Sequence, residues 1–120
     1  MNEKISWASG EIIYRYNDTP DFAYLLIDGE VEIKSKSGKS IGFINKDEVF
    51  GEQSILLGTK RTVSAVASKD SLALKIPKQK LKDEFNQASI LIKAILRSTS
   101  IRLTNLGQMV KKDLESYKKN

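Results

Sequence analysis

The part of the chain best equipped for chemistry is Phe50-Gly51-Glu52-Gln53-Ser54-Ile55-Leu56-Leu57-Gly58-Thr59-Lys60-Arg61-Thr62-Val63-Ser64-Ala65. Its residue types suit an anion, and a phosphate in particular. Gly51 lets the backbone approach a ligand closely, because no Cβ stands in the way. Gln53 to Leu57 can form one helical turn whose first amides face an anion. Arg61 offers a planar, permanently charged fork that matches phosphate oxygens. Glu52 can accept hydrogen bonds from a hydroxyl. Other chemistries find less support. The 120 residues include no histidine and no cysteine, which removes imidazole bases, thiol nucleophiles and nearly every zinc site. No paired acid and base, metal cluster or nucleophile constellation stands elsewhere, so binding is expected rather than catalysis.

Short strands must position this segment. Glu11 to Tyr16 is rich in β-branched and aromatic residues and ends at the turn Asn17-Asp18-Thr19-Pro20. Ala23 to Ile27 is a second run, closed by Asp28-Gly29, a hairpin signal. Glu30 to Lys34 alternates charged and apolar residues, as a half-buried strand does. Ser35 to Ser40 is a turn, Ile41 to Ile44 alternates again, and Val63 to Ala67 and Leu72 to Ile76 complete the set. Close spacing of short strands predicts a sandwich or barrel. Tyr14, Tyr16, Phe22, Tyr24, Phe43 and Phe50 are assigned to its packing, and Trp7 to covering an edge.

Pro77 closes the strand region and the period changes. Lys78 to Phe85 reads as a short helix. From Ala88 onward, Ile92, Leu96, Thr99, Leu103, Leu106 and Val110 recur at spacings of four and three, a helical stripe that continues to Tyr117. Gly107 within it weakens the helix by roughly 1 kcal/mol relative to alanine. So long a stripe predicts a dimer seam, with Leu96, Leu103 and Val110 at one set of positions and Ile92, Thr99 and Leu106 at the other. Simple packing on the barrel is the alternative. The charged end, Lys111 to Asn120, is expected to fray.

The segment 50–65 resembles the phosphate-binding cassette of cyclic-nucleotide-binding domains, as found in the catabolite activator protein and the regulatory subunits of protein kinase A. The likeness extends to Gly10-x-Ile12, Asp18, Tyr24-x-Leu26-x-x-Gly29-x-Val31 and Leu72 to Ile76, and covers roughly residues 9 to 85. It implies a mainly β fold: an antiparallel, jelly-roll-like double-stranded β-roll of about eight strands with short flanking helices and a long C-terminal helix. Carried over to this sequence, it implies that Arg61 pairs with the cyclic phosphate of cAMP or cGMP and that Glu52 binds the ribose 2′-hydroxyl. Gly51 and the amides around Gln53 and Ser54 line the phosphate, and Thr62 stands where a hydroxyl touches the base in some members. That hydroxyl suits cGMP but also occurs in cAMP binders, so the choice stays open. The resemblance further implies relay of binding through a hinge at Ser71 to Phe85. Asp47-Glu48 departs from the family's Gly-Asp before Phe-Gly-Glu, as Asn17-Asp18 does from an earlier one, and the usual leading helix is missing or very short.

Residues 1–86 are therefore expected to form the sensing roll and 87–120 the helix for dimerisation or relay. Charge divides along similar lines. Residues 1–77 carry ten Lys/Arg against eleven Asp/Glu, and residues 78–120 carry ten against four. A cytoplasmic protein is expected, since the first nine residues are no signal peptide and no stretch approaches the ~20 apolar residues of a membrane span. The expected partners are a cyclic nucleotide, a second copy of the chain and an effector protein. DNA is not expected, because no room remains for a helix-turn-helix. The rival reading is a nucleotide-free roll, with Arg61 paired to Glu52, that serves as a structural or dimerisation module. A cupin-like enzyme would need the histidine metal ligands that the chain lacks.

Overall fold

The computed structural model describes residues 3–98, and within them the alternating segments become strands. In chain order the elements are β1 (Glu3–Trp7), β2 (Ile12–Tyr14), β3 (Phe22–Asp28), β4 (Val31–Lys34), β5 (Ser40–Ile44), β6 (Val49–Phe50), α1 (Gln53–Leu57), β7 (Ser64–Ala67), β8 (Ser71–Pro77) and α2 (Lys78–Gln87). A further helical stretch occupies 90–98. The strands form two four-stranded sheets, β1-β8-β3-β6 and β2-β7-β4-β5, in which every pairing is antiparallel. The chain crosses repeatedly from one sheet to the other, which makes the mainly β roll that the sequence predicts. The fold separates into two units between Glu84 and Phe85. Among the described residues no helix is long and apolar enough to cross a membrane, and no group of side chains is arranged to hold a metal ion.

The core lies between the sheets and mixes very small with very large residues. Ala65, Ala67 and Ala73 are fully buried beside Leu26 and Val31, so the backbones can approach closely there. Trp7, Tyr24 and Phe50 fill the wider space. Trp7 meets Tyr24 edge-on at 5.2 Å between ring centroids, and Tyr24 stacks on Phe50 at 5.2 Å. The β3–β4 hairpin turns at Gly29, whose φ of +99° is open to glycine.

Several expectations are corrected. β1 and β6 were not anticipated, and Trp7 belongs to the central cluster instead of covering an edge. β1 is held by its ladder to β8, from Glu3 opposite Lys75 to Trp7 opposite Ser71. β2 is shorter than Glu11–Tyr16 because the following turn takes over the backbone: the Arg15 amide donates to Asp18 Oδ2 at 2.9 Å. Val63 falls before β7. Of the six aromatics assigned to packing, Tyr16 and Phe43 are exposed, at 39% and 49%. A break at 88–89 interrupts the helical pattern before 90–98. Ile92 and Leu96 lie in that stretch and are exposed. The remaining stripe positions, Thr99, Leu103, Leu106 and Val110, and the rest of the predicted long helix lie outside the described residues.

Candidate anion-binding site

The segment 50–65 leaves β6, makes the single turn α1 and enters β7. Gly51 turns the chain at φ +78°, and Glu52 stands at the N-cap of α1 in helical geometry without using its side chain as a cap. Gly58 ends the turn at φ +69°, where its amide donates to Ile55 O and the Thr59 amide donates to Ser54 O. Arg61 is then fixed by its backbone. The Asn17 amide donates to Arg61 O at 2.7 Å, and the Arg61 amide donates to Asp18 O at 2.9 Å. Asn17 makes this possible at φ +73°, and Asp47 supports its own turn at φ +70°. Both departures from the expected Gly-Asp pairs are thus accommodated by left-handed residues.

The Arg61 side chain is 4% exposed. Its Nη1 donates to Gly51 O and its Nη2 donates to Phe22 O on β3. The guanidinium carbon lies 4.0 Å from the centroid of the Tyr14 ring. Its Nε is buried with no hydrogen-bond partner among the described residues. Arg61 makes no ion pair with Glu52, contrary to the rival reading of the sequence. The cation is solvated by carbonyl dipoles and an aromatic face, and among the described residues no carboxylate lies within ion-pair distance of it, although Glu52 is close enough to feel its charge.

Gly51 serves this arrangement directly. A Cβ there would lie 3.0 Å from Arg61 Nη1 and 3.4 Å from Tyr14 Cε2. The glycine thus makes room for the arginine. Burial raises the Glu52 carboxyl above its ordinary range, opposed by a backbone hydrogen bond and by the charge of Arg61. Burial pushes the Tyr14 phenol up to about 12, with Arg61 acting against the shift and Glu52 adding to it. Tyr24 is raised for the same leading reason.

Of the six candidate residues, Gly51 and Arg61 are in contact and Glu52 is within electrostatic reach of Arg61. Gln53 opens α1 and is half-buried, Ser54 is buried, and Thr62 is exposed ahead of β7. Sequence reasoning missed Tyr14 as a partner of Arg61, the Phe22 carbonyl, and the backbone clamp from Asn17 and Asp18. Of these, Asn17 and Asp18 carried a signal, through their place in the turn Asn17-Asp18-Thr19-Pro20.

Comparison with known proteins follows the same outline. A family model described as the cyclic nucleotide-binding domain matches residues 4–88. Among solved structures, the chain is similar to the EAL enzyme Bd1971 in its cGMP-bound form, with 24% identity and a TM-score of 0.79, over 89% of this chain and 30% of that one. It is similar to cAMP-bound PfPKA-R at 22% identity and a TM-score of 0.70, over 88% and 37% of the two chains. It is also similar to the transcriptional regulator TM1171 from Thermotoga maritima at 23% identity and a TM-score of 0.70, over 91% and 88%. At these identities the likeness is one of fold. The chain spans about a third of the length of the Bd1971 chain it matches. No curated protein matches it.

Proposed function

The chain belongs to the cyclic nucleotide-binding domain family, and from that premise we propose that it binds cAMP or cGMP as a regulatory sensor. The observation that carries this reading is Arg61: a buried guanidinium with an unpartnered Nε and, among the described residues, no carboxylate within ion-pair distance. Taking a charge out of water costs several kcal/mol unless an opposite charge compensates. Carbonyl oxygens supply only part of that compensation, and in this reading a bound phosphate supplies the rest. In this reading Arg61 holds the cyclic phosphate and Glu52 accepts from the ribose 2′-hydroxyl. Gly51 and the amides of Gln53 and Ser54 line the phosphate, and Thr62 stands near the base. The nucleotide is a regulatory ligand, not a cofactor.

For relay, we propose a route through the atoms that Arg61 touches. A phosphate that shares its guanidinium competes with Gly51 O and Phe22 O for the same cation. Phe22 pairs with Pro77 at the end of β8, and the Lys78 amide, the first of α2, donates to Asp21 O at 2.9 Å. A displacement at Arg61 therefore reaches the start of α2 through one strand pair. We propose that the roll, residues 1–86, senses the nucleotide and that 87–120 carry the signal to a second copy of the chain and to an effector protein. A cytoplasmic location belongs to the same reading.

Isothermal titration with cAMP and with cGMP tests it. Saturable binding by one of them is expected, and Arg61→Ala is expected to weaken it at least a hundredfold in a roll that stays folded. A second reading rests on the carbonyl contacts. Arg61 staples the cassette to β3 without any ligand, and the roll is a structural or dimerisation module. Under that reading neither nucleotide gives heat, and Arg61→Ala acts on the melting temperature alone.

A further inference from the structure

We infer that Tyr14 is a positioning residue for the proposed nucleotide site: its ring fixes the plane of the Arg61 guanidinium on which phosphate binding depends. The inference rests on the cyclic-nucleotide reading of that site. A guanidinium binds a phosphate best when its plane is fixed, because its donors lie in that plane and must point at the oxygens. Three contacts define the plane here. Two are donations to carbonyls on different elements, Gly51 after β6 and Phe22 in β3. The third is the Tyr14 face, 4.0 Å below the guanidinium carbon. They leave Nε as the donor without an acceptor.

The platform is itself held firmly. Tyr14 ends β2, where it pairs with Ala65 of β7, the strand that Arg61 leads into. Its ring stacks on Phe50 at 6.5 Å and 28°, and Phe50 stacks on Tyr24 at 5.2 Å. An aromatic column therefore runs from the core to the underside of the arginine. Gly51 leaves room at its edge, since a Cβ there would lie 3.0 Å from Arg61 Nη1 and 3.4 Å from Tyr14 Cε2. The buried phenol, with its pKa pushed up to about 12, stays protonated at neutral pH. The platform thus attracts the cation through its face without neutralising the charge that the anion needs.

The experiment compares wild-type protein, Tyr14→Phe and Tyr14→Leu by isothermal titration with cAMP and cGMP, each variant checked by thermal melting. Tyr14→Phe keeps the face and is expected to bind within about twofold of wild type. Tyr14→Leu removes it and is expected to bind about thirtyfold more weakly, the equivalent of one desolvated cation–π contact. Wild-type affinity in Tyr14→Leu overturns the inference, as does equal weakening in Tyr14→Phe, and both leave the nucleotide reading intact. Silence of the wild-type protein towards both nucleotides overturns that reading and this inference with it. A second measurement decides the matter if Tyr14→Leu does not fold. The Arg61 Nε–H resonance of wild-type protein is expected to carry an upfield ring-current shift with and without saturating nucleotide. Loss of that shift on saturation means the arginine leaves the ring, and overturns the inference.

Discussion

Arg61 and Glu52 are both unfavourably placed for a roll that only has to fold. The arginine is buried with no carboxylate within ion-pair distance among the described residues, and burial works against ionisation of the glutamate. A carboxyl whose folded pKa is raised favours the native state in its protonated form. Its contribution to stability is therefore present at low pH and lost as pH rises through the raised value. Glu52→Gln removes that loss, so the variant is expected to melt higher than wild type at pH 7 and no higher at pH 4. The same variant is expected to bind cyclic nucleotide at least about tenfold more weakly, because a hydroxyl bonded to a carboxylate is worth ~1.5–3 kcal/mol. Wild-type affinity is likewise expected to fall as pH drops through the Glu52 pKa. Melting curves and titrations at several pH values check all three. Undiminished affinity in Glu52→Gln removes the ribose role from this residue.

At the scale of elements, the β3–β4 hairpin offers the sharpest test. A Cβ on Gly29 would lie 2.3 Å from Ser71 Oγ and 2.6 Å from Asp70 O, at a φ of +99°. Gly29→Ala is expected to destabilise the roll by about 3 kcal/mol in urea unfolding, from backbone strain and overpacking together. A loss below ~1 kcal/mol would mean that the hairpin relaxes. This glycine was legible in the sequence because Asp28-Gly29 stands between two alternating runs. Likewise α1 occupies Gln53–Leu57, the turn expected from the residues between Gly51 and Gly58. What escaped were elements with little local signal. β6 is two residues long, too short for a period, and β1 carries Glu3, Lys4 and Ser6, so its pairing with β8 comes from a partner some seventy residues away. The site divides in the same way. Arg61, Glu52 and Gly51 lie within one short motif and could be read together. Tyr14 and the Phe22 carbonyl reach Arg61 only through the sheet pairing, which no spacing in the sequence records.

The whole chain joins a nearly neutral roll to a basic C-terminal third. Its two units meet in sequence within α2, between Glu84 and Phe85. Ile90, Leu91, Ile92, Ile95 and Leu96 are all exposed, an apolar series that association with a second copy would cover. Leu96→Asp is accordingly expected to turn a dimer into a monomer in sedimentation velocity while leaving nucleotide affinity within about threefold. A wild-type chain that sediments as a monomer at every concentration would remove the dimer from the account. The central claim, however, is that a phosphate completes the environment of Arg61. Isothermal titration of folded, ligand-free protein with cAMP and cGMP tests it most directly. The account predicts saturable binding at micromolar affinity or tighter by at least one nucleotide, weakened at least about a hundredfold in a folded Arg61→Ala variant. Absence of heat and of any thermal shift with both nucleotides, or wild-type affinity in Arg61→Ala, would contradict it.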